Sequence, residues 1–130
     1  MSDAAVPTPG GSLEYAVLVA LWEGGPLSAR QVHERVGVPA GLVQTTVTRV
    51  LDRLGAKGLI ERRRDSGVFV YSSRVDRAAV DRARMTKTLG GLFAEAPRPA
   101  LASLVDAIES IDPELLEELA RVVDARRRSR

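Results

Sequence analysis

The stretch TTVTRVLDRLGAKGLIERRR, residues 45–64, decides how the chain folds. It contains four apolar residues at helical spacing, which are Val47, Val50, Leu51 and Leu54. This spacing predicts a helix over about residues 43–56 that buries one side, and Gly58 stands where a glycine commonly follows a helix. Threonine is a mediocre helix former, so the threonines that open this helix suggest a purpose other than helix stability.

Two shorter helices are predicted before this one. The segment LEYAVLVALWE predicts a helix over about residues 13–23 that is capped by Ser12 and is apolar nearly all round. A second helix, about residues 29–36, begins with Ser28 and Gln31 at the spacing of a capping box. Both helices therefore supply surfaces on which the third can pack.

Two β-type segments, LIERRR and VFVYSS, follow the third helix and are separated by Asp65-Ser66-Gly67. A three-residue loop that ends in glycine is a common hairpin connection. Three helices followed by a two-stranded hairpin are typical of the winged helix-turn-helix, in which the helix after the turn lies in the DNA major groove. We therefore expect a mainly α fold with a small β-hairpin, with the winged domain spanning residues 12–75.

Three more amphipathic helices are predicted beyond the hairpin. Their apolar residues are Leu89, Leu92, Phe93, Leu101, Leu104, Val105, Ile108, Leu115, Leu116, Leu119, Val122 and Val123. The segment is short and broken by prolines, so it is too small to form a core of its own. We expect residues 76–125 to form a helical dimerisation region that packs against the same segment of a second chain.

Charge is distributed unevenly along the chain. Residues 12–93 hold 13 Lys and Arg against 8 Asp and Glu, whereas residues 94–125 hold two basic residues against eight acidic ones. The basic part suits a polyanion such as DNA, and the acidic part suits self-association. Residues 1–11 are expected to be a disordered tail. Residues 126–130 are expected to be a basic C-terminal tail, either solvated or in contact with nucleic acid.

Several function classes are excluded by composition. The chain has no cysteine and a single histidine, His33, so no zinc finger, thiol catalysis or histidine-based metal site is expected. The longest apolar run, Tyr15 to Trp22, is too short to span a bilayer, and the N-terminus lacks the features of a secretory signal. We expect a cytoplasmic protein with no membrane segment, no metal, no cofactor and no catalytic activity.

The candidate DNA-binding residues lie on the third helix and the hairpin, and they are Thr45, Thr46, Thr48, Arg49, Arg53, Lys57, Arg62, Arg63 and Arg64. Threonine offers a hydroxyl and a methyl group to base edges and phosphates, and the cations suit phosphate. In the alternative interpretation, the threonines are ordinary residues at a helix start, Lys57 stabilises the helix C-terminus and the strand arginines are solvated. Side chains alternate along a strand, so three consecutive arginines cannot all face one direction.

Four segments of the chain resemble the penicillinase-repressor family, which includes the methicillin-resistance repressor: LEYAVLVALW, SARQVHERV, TTVTRVLDRLGAKGLI and GVFVYSS. The resemblance covers residues 12–93 well and the remainder loosely. It implies a dimeric repressor that binds a palindromic operator through its winged domain. Thr45, Thr46, Thr48 and Arg49 fall at operator-reading positions, and the wing arginines fall at positions that contact the DNA backbone. The helix-turn-helix part alone is shared with other winged regulators, including the multiple-antibiotic-resistance regulator group.

The resemblance also implies how such a repressor is released. In the family, a β-lactam-sensing membrane protein leads to cleavage of the repressor in its dimerisation region by a linked protease. The family's Asn-Phe cleavage pair aligns with Ser103-Leu104, and neither residue matches. The copper-responsive branch binds metal through C-terminal cysteines, which this chain lacks, and Val43 stands where relatives often carry a polar cap.

A different class of function is a winged module that contacts proteins instead of DNA. An uncharged or acidic third helix and wing would favour that function. Neither is present, because both segments are basic.

Overall fold

The computed structural model describes residues 8–130, which form six helices and three short strands. The helices are α1 (Ser12–Gly24), α2 (Ala29–Val32), α3 (Gln44–Ala56), α4 (Arg77–Phe93), α5 (Pro97–Ile111) and α6 (Pro113–Arg128). The strands are β1 (Leu27–Ser28), β2 (Ile60–Asp65) and β3 (Val68–Ser73). The predicted fold class, mainly helical with a small sheet in a winged arrangement, is confirmed.

The start of α1 differs from the prediction. Gly11 precedes the helix, Ser12 is its first residue, and no side chain caps it. The amide of Gly10 instead donates a hydrogen bond of 2.7 Å to the Glu14 carboxylate. The predicted serine cap is therefore wrong, and a side chain one turn into the helix binds the incoming backbone.

The capping box at the start of α2 is confirmed. The Gln31 amide donates to the Ser28 hydroxyl at 3.2 Å, and the Ser28 amide donates to the Gln31 side chain at 2.9 Å. Beyond Val32 the helix widens into a π-helical turn, His33–Gly37. A Cβ atom at position 37 would lie 2.3 Å from Nδ1 of His33 and 2.7 Å from a methyl carbon of Val47. Glycine is needed there because α3 packs directly against this turn.

The hairpin has a tighter turn than the three-residue loop expected from the sequence. Asp65 pairs with Val68, which leaves Ser66 and Gly67 as the two turn residues. Both have positive φ, 53° and 82°, as a type I′ turn requires. The three-residue loop is therefore wrong, since Asp65 belongs to β2.

The sheet has one strand more than the sequence predicted. Leu27 pairs with Tyr71 and Ser28 with Val70, so β1 joins β3 in an antiparallel sheet of order β1-β3-β2. The expected two-stranded hairpin is thus a three-stranded sheet. This third strand ties the start of α2 to the wing.

One apolar core lies beneath the sheet and the first three helices. Its fully buried large side chains are Val17, Leu18, Val32, Val47, Val50, Leu51, Leu54, Leu59 and Val80. The four from α3 are those predicted for its buried side, and we call them the apolar stripe: Val47, Val50, Leu51 and Leu54. The helix that carries them was predicted to within one residue at its start.

The chain divides into two compact units, one ending at Met85 and the other formed by Thr86–Arg130. Val80 of α4 belongs to the core of the first unit, and the Tyr15 hydroxyl donates to Asp81 at 2.6 Å, so the first half of α4 packs with the winged domain. In the second unit, neither α5 nor α6 contains a buried residue.

The structure describes the C-terminal end of the chain but not the first seven residues. Of the tail expected over residues 1–11, residues 1–7 lie outside the described residues. At the other end, α6 continues through Arg128 and takes in most of the segment expected as a basic tail, and Arg128 pairs with Asp124 at 2.5 Å. α6 begins with a side-chain cap, because Asp112 accepts a hydrogen bond of 3.0 Å from the amide of Glu114.

Candidate nucleic-acid interface

The side of α3 opposite the apolar stripe is open to solvent. Residues separated by three or four positions share a helix face, and those on this side are Thr45, Arg49, Asp52 and Ala56, all exposed. We call them the exposed face of α3. Thr46 and Thr48 are half-buried at its edges. Of the residues predicted to read DNA, Thr45 and Arg49 are therefore the most accessible.

The threonines differ in which of their hydrogen-bonding groups remain available to a partner. The Thr48 hydroxyl donates to the carbonyl of Gln44 at 3.1 Å, one turn earlier in the helix. Its oxygen lone pairs and methyl group remain for an external partner. Gln44 itself was missed from the sequence. It is exposed at the first position of α3, and its side-chain amide can both donate and accept, a pattern that matches adenine.

The basic residues of α3 do not form one continuous edge. Arg53 and Lys57 both bind the carboxylate of Glu14 from α1, Arg53 through Nε at 3.3 Å and Lys57 through Nζ at 2.8 Å. Arg49, one turn before Arg53, is exposed and has no ion pair among the described residues. The predicted row therefore separates into one free cation and two tethered ones.

Glu14 is the buried acid that holds the two tethered cations, and we call the group of Glu14, Arg53 and Lys57 the Glu14 clamp. Only 6% of Glu14 is exposed. Burial raises the pKa of its carboxyl, but hydrogen bonds from Lys57, the Gly10 amide and Arg53 outweigh burial, so that the pKa lies below its ordinary value. The charged carboxylate therefore ties the start of α1 to the last turn of α3.

The clamp leaves Arg53 able to bind a further anion. Only its Nε bonds to Glu14, and the guanidinium has four more N–H donors on its terminal nitrogens. More than half of the Arg53 side chain is exposed, against about a third for Lys57. Arg53 is thus oriented by the protein and still accessible, whereas Lys57 is more occupied with Glu14.

The wing arginines alternate as the sequence predicted. The Cζ atoms of Arg62 and Arg64 lie 4.0 and 4.5 Å from the centroid of the Phe69 ring. Arg64 is directly opposite Phe69 in the sheet register, and Arg62 is opposite Tyr71. Two guanidinium groups therefore share one aromatic ring on one face of the hairpin. We call Arg62, Phe69 and Arg64 the wing stack.

Arg63 lies on the other face of the hairpin, opposite Val70. It is exposed and forms no ion pair with any residue that the structure describes. Glu61 is on this same face and approaches Arg74 at 3.9 Å. The two faces of the wing therefore differ, one with a stacked pair of cations and the other with a single free one.

Two further features are absent from residues 8–130. Within this range no helix is long and apolar enough to cross a membrane. The same range contains no group of His, Cys, Asp or Glu side chains that could hold a metal ion.

Comparison with known proteins assigns the winged chain to a family. Residues 10–125 match the penicillinase repressor family. The chain belongs to that family. It is 32% identical over 114 residues to the transcriptional regulator BlaI of two Mycobacterium tuberculosis strains, which covers 87% of this chain and 81% of the relative. The family resemblance inferred from the sequence is therefore confirmed.

Solved structures that are similar to this chain include the DNA-binding domain of the repressor BlaI, at 24% identity and a TM-score of 0.48. That match covers 55% of this chain and 88% of the BlaI domain. The PcaV transcriptional regulator from Streptomyces coelicolor is 28% identical with a TM-score of 0.49, covering 79% of this chain and 74% of that one. As a member of the penicillinase repressor family, the chain is a DNA-binding transcriptional repressor and not an enzyme.

The Glu14 clamp predicts how stability depends on pH. The pKa of Glu14 is lower in the folded chain than its ordinary value of 4.5, so its contribution is complete above that value and is lost as pH falls through the folded pKa. We expect Glu14→Gln to lower the free energy of unfolding by about 1–3 kcal/mol at neutral pH, because Lys57 loses its charged partner. The difference from wild type should shrink in acid, as measured by urea denaturation across pH.

A matched control for that experiment is Glu34→Gln. Glu34 pairs with Arg30 at 3.4 Å, but both side chains are mostly exposed, so we expect a change of only a few tenths of a kcal/mol. If Glu14→Gln kept the acid dependence of wild type, the clamp would not be its source.

The wing stack predicts an effect of Phe69 on DNA affinity. Replacement of Phe69 by Leu removes the ring but leaves both arginines charged, so we expect affinity to fall about 3- to 10-fold through loss of stacking. The salt dependence of binding should stay unchanged, because the number of cations is the same. Phe69→Tyr retains the ring and should bind like wild type in titrations at several salt concentrations. A reduced salt slope in Phe69→Leu would contradict this assignment.

Proposed function

We propose that the chain represses transcription as a homodimer that reads a palindromic operator with α3 and contacts the DNA backbone with the wing. The observation that carries this proposal is the exposed face of α3, where Thr45 and Arg49 have no partner among residues 8–130 while the opposite face is fully buried. In a winged helix-turn-helix this helix enters the major groove. Its free polar groups are then available to base edges.

Within this proposal the candidate residues have different roles. Thr45 and Arg49 contact base edges, and Thr46 and Thr48 approach from the two edges of the same face. Arg53 contacts a DNA phosphate while it stays bound to Glu14, and Lys57 mainly balances the charge of Glu14. Side chains that are already held in place lose less conformational freedom when they bind. For this reason the stacked arginines are the proposed backbone contacts of the wing, and Arg63 is a second one on the other face.

The proposed dimer is supported by the apolar residues of the second unit. Within a single chain Leu92, Leu101, Leu115, Val122 and Val123 are exposed. The other apolar residues predicted for dimerisation are half-buried, and they are Leu89, Phe93, Leu104, Val105, Ile108, Leu116 and Leu119. So many exposed apolar side chains on a small helical unit favour association. A symmetric pair of chains would cover them and present two α3 helices to two half-sites.

The regulatory part of the proposal follows from the family. We infer a cytoplasmic repressor in a β-lactam-responsive circuit, released by a protease linked to a sensor. The aligned position of cleavage, Ser103-Leu104, lies inside α5, with Ser103 exposed and Leu104 half-buried. Cleavage there needs α5 to unwind locally, because proteases bind extended chains. Recovery of bound genomic fragments from cells, followed by a search for a shared palindrome, tests the operator-binding part of the proposal.

Substitutions on α3 and the wing should separate base reading from backbone contact. We expect Arg49→Ala to weaken operator binding by about 1–3 kcal/mol and to weaken binding to random duplex by a smaller amount, through the loss of one charge. Arg63→Ala should weaken binding to all sequences similarly and reduce the salt slope by about one. Both effects can be measured by fluorescence anisotropy. Equal losses on operator and random duplex for Arg49→Ala would exclude its role in base reading.

The dimer can be tested by placing a charge on the second unit. Val122→Asp should give a monomer in sedimentation velocity, because a carboxylate would be buried in the interface. Val38→Asp is the matched control, since Val38 is 59% exposed and Val122 51%, but Val38 lies in the first unit. We expect the control to remain dimeric. A monomeric wild type at micromolar concentration would overturn the dimer.

A further inference from the structure

An acidic side chain lies on the surface proposed to face DNA. Asp52 is exposed on the same face of α3 as Thr45 and Arg49. No hydrogen bond or ion pair joins it to any residue that the structure describes, although Arg49 lies three positions before it and Arg53 is adjacent in sequence. Its carboxylate therefore has no partner among the described residues.

Asp52 also lies toward the wing. A crevice of about 210 Å³ separates α3 from the wing. Its α3 side is formed by Leu51, Asp52 and Gly55, and its other side by Ile60, Glu61, Arg62 and Tyr71. Arg62 belongs to the wing stack, with its guanidinium over Phe69. Asp52 thus belongs to the exposed face of α3 and also lines the crevice between α3 and the wing.

A free carboxylate in this place has an electrostatic cost. DNA is a polyanion, so an unpaired negative charge on the contact surface weakens binding to every sequence. An acid on the outer face of an ordinary surface helix needs no explanation, because solvent stabilises it. Here the exposed face would lose solvent when DNA binds, and Asp52 would then require a hydrogen-bond donor.

The major groove offers few donors to a carboxylate, which can only accept hydrogen bonds. Guanine presents two acceptors and thymine one, so both would repel it. Adenine presents an amino group beside the acceptor N7. Cytosine presents its N4 amino group without an acceptor next to it on the same base, which makes it the best match.

We propose that Asp52 is a specificity-determining residue that accepts a hydrogen bond from the N4 amino group of a cytosine in the operator. This inference rests on the proposed function, in which α3 reads the operator. Arg49 lies on the same face and suits the O6 and N7 acceptors of guanine. The two side chains together therefore favour a site rich in G·C pairs where the middle of α3 meets the groove.

The proposal predicts opposite effects on two kinds of DNA. Asp52→Ala removes a negative charge, so affinity for random duplex should rise roughly two- to five-fold at low salt. The same substitution should lower the preference for cytosine at one position of each half-site about 5- to 150-fold. Asp52→Asn introduces an amide that can both donate and accept, and it should move the preference at that position toward adenine.

The experiment selects bound duplexes from a randomised library with the full chain of wild type, Asp52→Ala and Asp52→Asn, and then compares base preferences. Asp65→Ala is the matched control, because it removes an exposed carboxylate from the winged unit away from α3. It should alter affinity for random duplex without changing any base preference. Melting temperatures establish that each variant is folded.

Two negative results would have different meanings. A shared site in which Asp52→Ala keeps every base preference of wild type would overturn this inference and leave the proposed function intact. A wild-type selection that yields no shared site would overturn the proposed function, and the inference with it.

Discussion

α3 is held in the winged unit by two contacts of different character, the apolar stripe and the Glu14 clamp. Burial of the apolar stripe stabilises the fold strongly, but the hydrophobic effect is non-directional. By itself it therefore permits small rotations and shifts of the helix. The clamp is directional, because Oε1 and Oε2 of Glu14 each accept from a separate cation near the end of α3. A buried ion pair is weak evidence for stability. We therefore infer that its main effect is to fix which side chains α3 presents to DNA.

The number of basic residues on α3 and the wing exceeds the number available to phosphate. Lys57 is close to the Glu14 carboxylate, and Asp52 adds a further negative charge. The net positive charge that α3 would present to DNA is therefore smaller than the sequence suggests. Within α3 and the wing, Arg49 and Arg63 are the cations with no partner among the described residues, while Arg62 and Arg64 are held by Phe69. A surface with few free cations depends more on base contacts, which suits discrimination between sequences better than general attachment to DNA.

The elements with a periodic pattern of apolar residues were predictable from the sequence. Very short elements and contacts between distant positions were not. The apolar stripe set the bounds of α3 to within one residue. β1 has two residues, too few for any alternation to be seen, and it forms only because β3 is beside it. The Glu14 contacts join positions 39 and 43 residues apart, which no local spacing rule can detect. The wing stack was missed because the expected three-residue loop gives a different register, whereas the two-residue turn places Phe69 opposite Arg64.

The two units differ in how much of their stability a single chain supplies. The first closes a core of its own, with the Trp22 Nε1 donating to the Ser73 hydroxyl and the Val75 carbonyl, both at 3.0 Å. The second has no buried residue in α5 or α6, so in the proposed dimer its order depends on association. Two linked reading helices bind far more tightly than either alone, because the second contact becomes intramolecular. In the proposed dimer, disruption of the second unit would therefore weaken DNA binding without any change in α3.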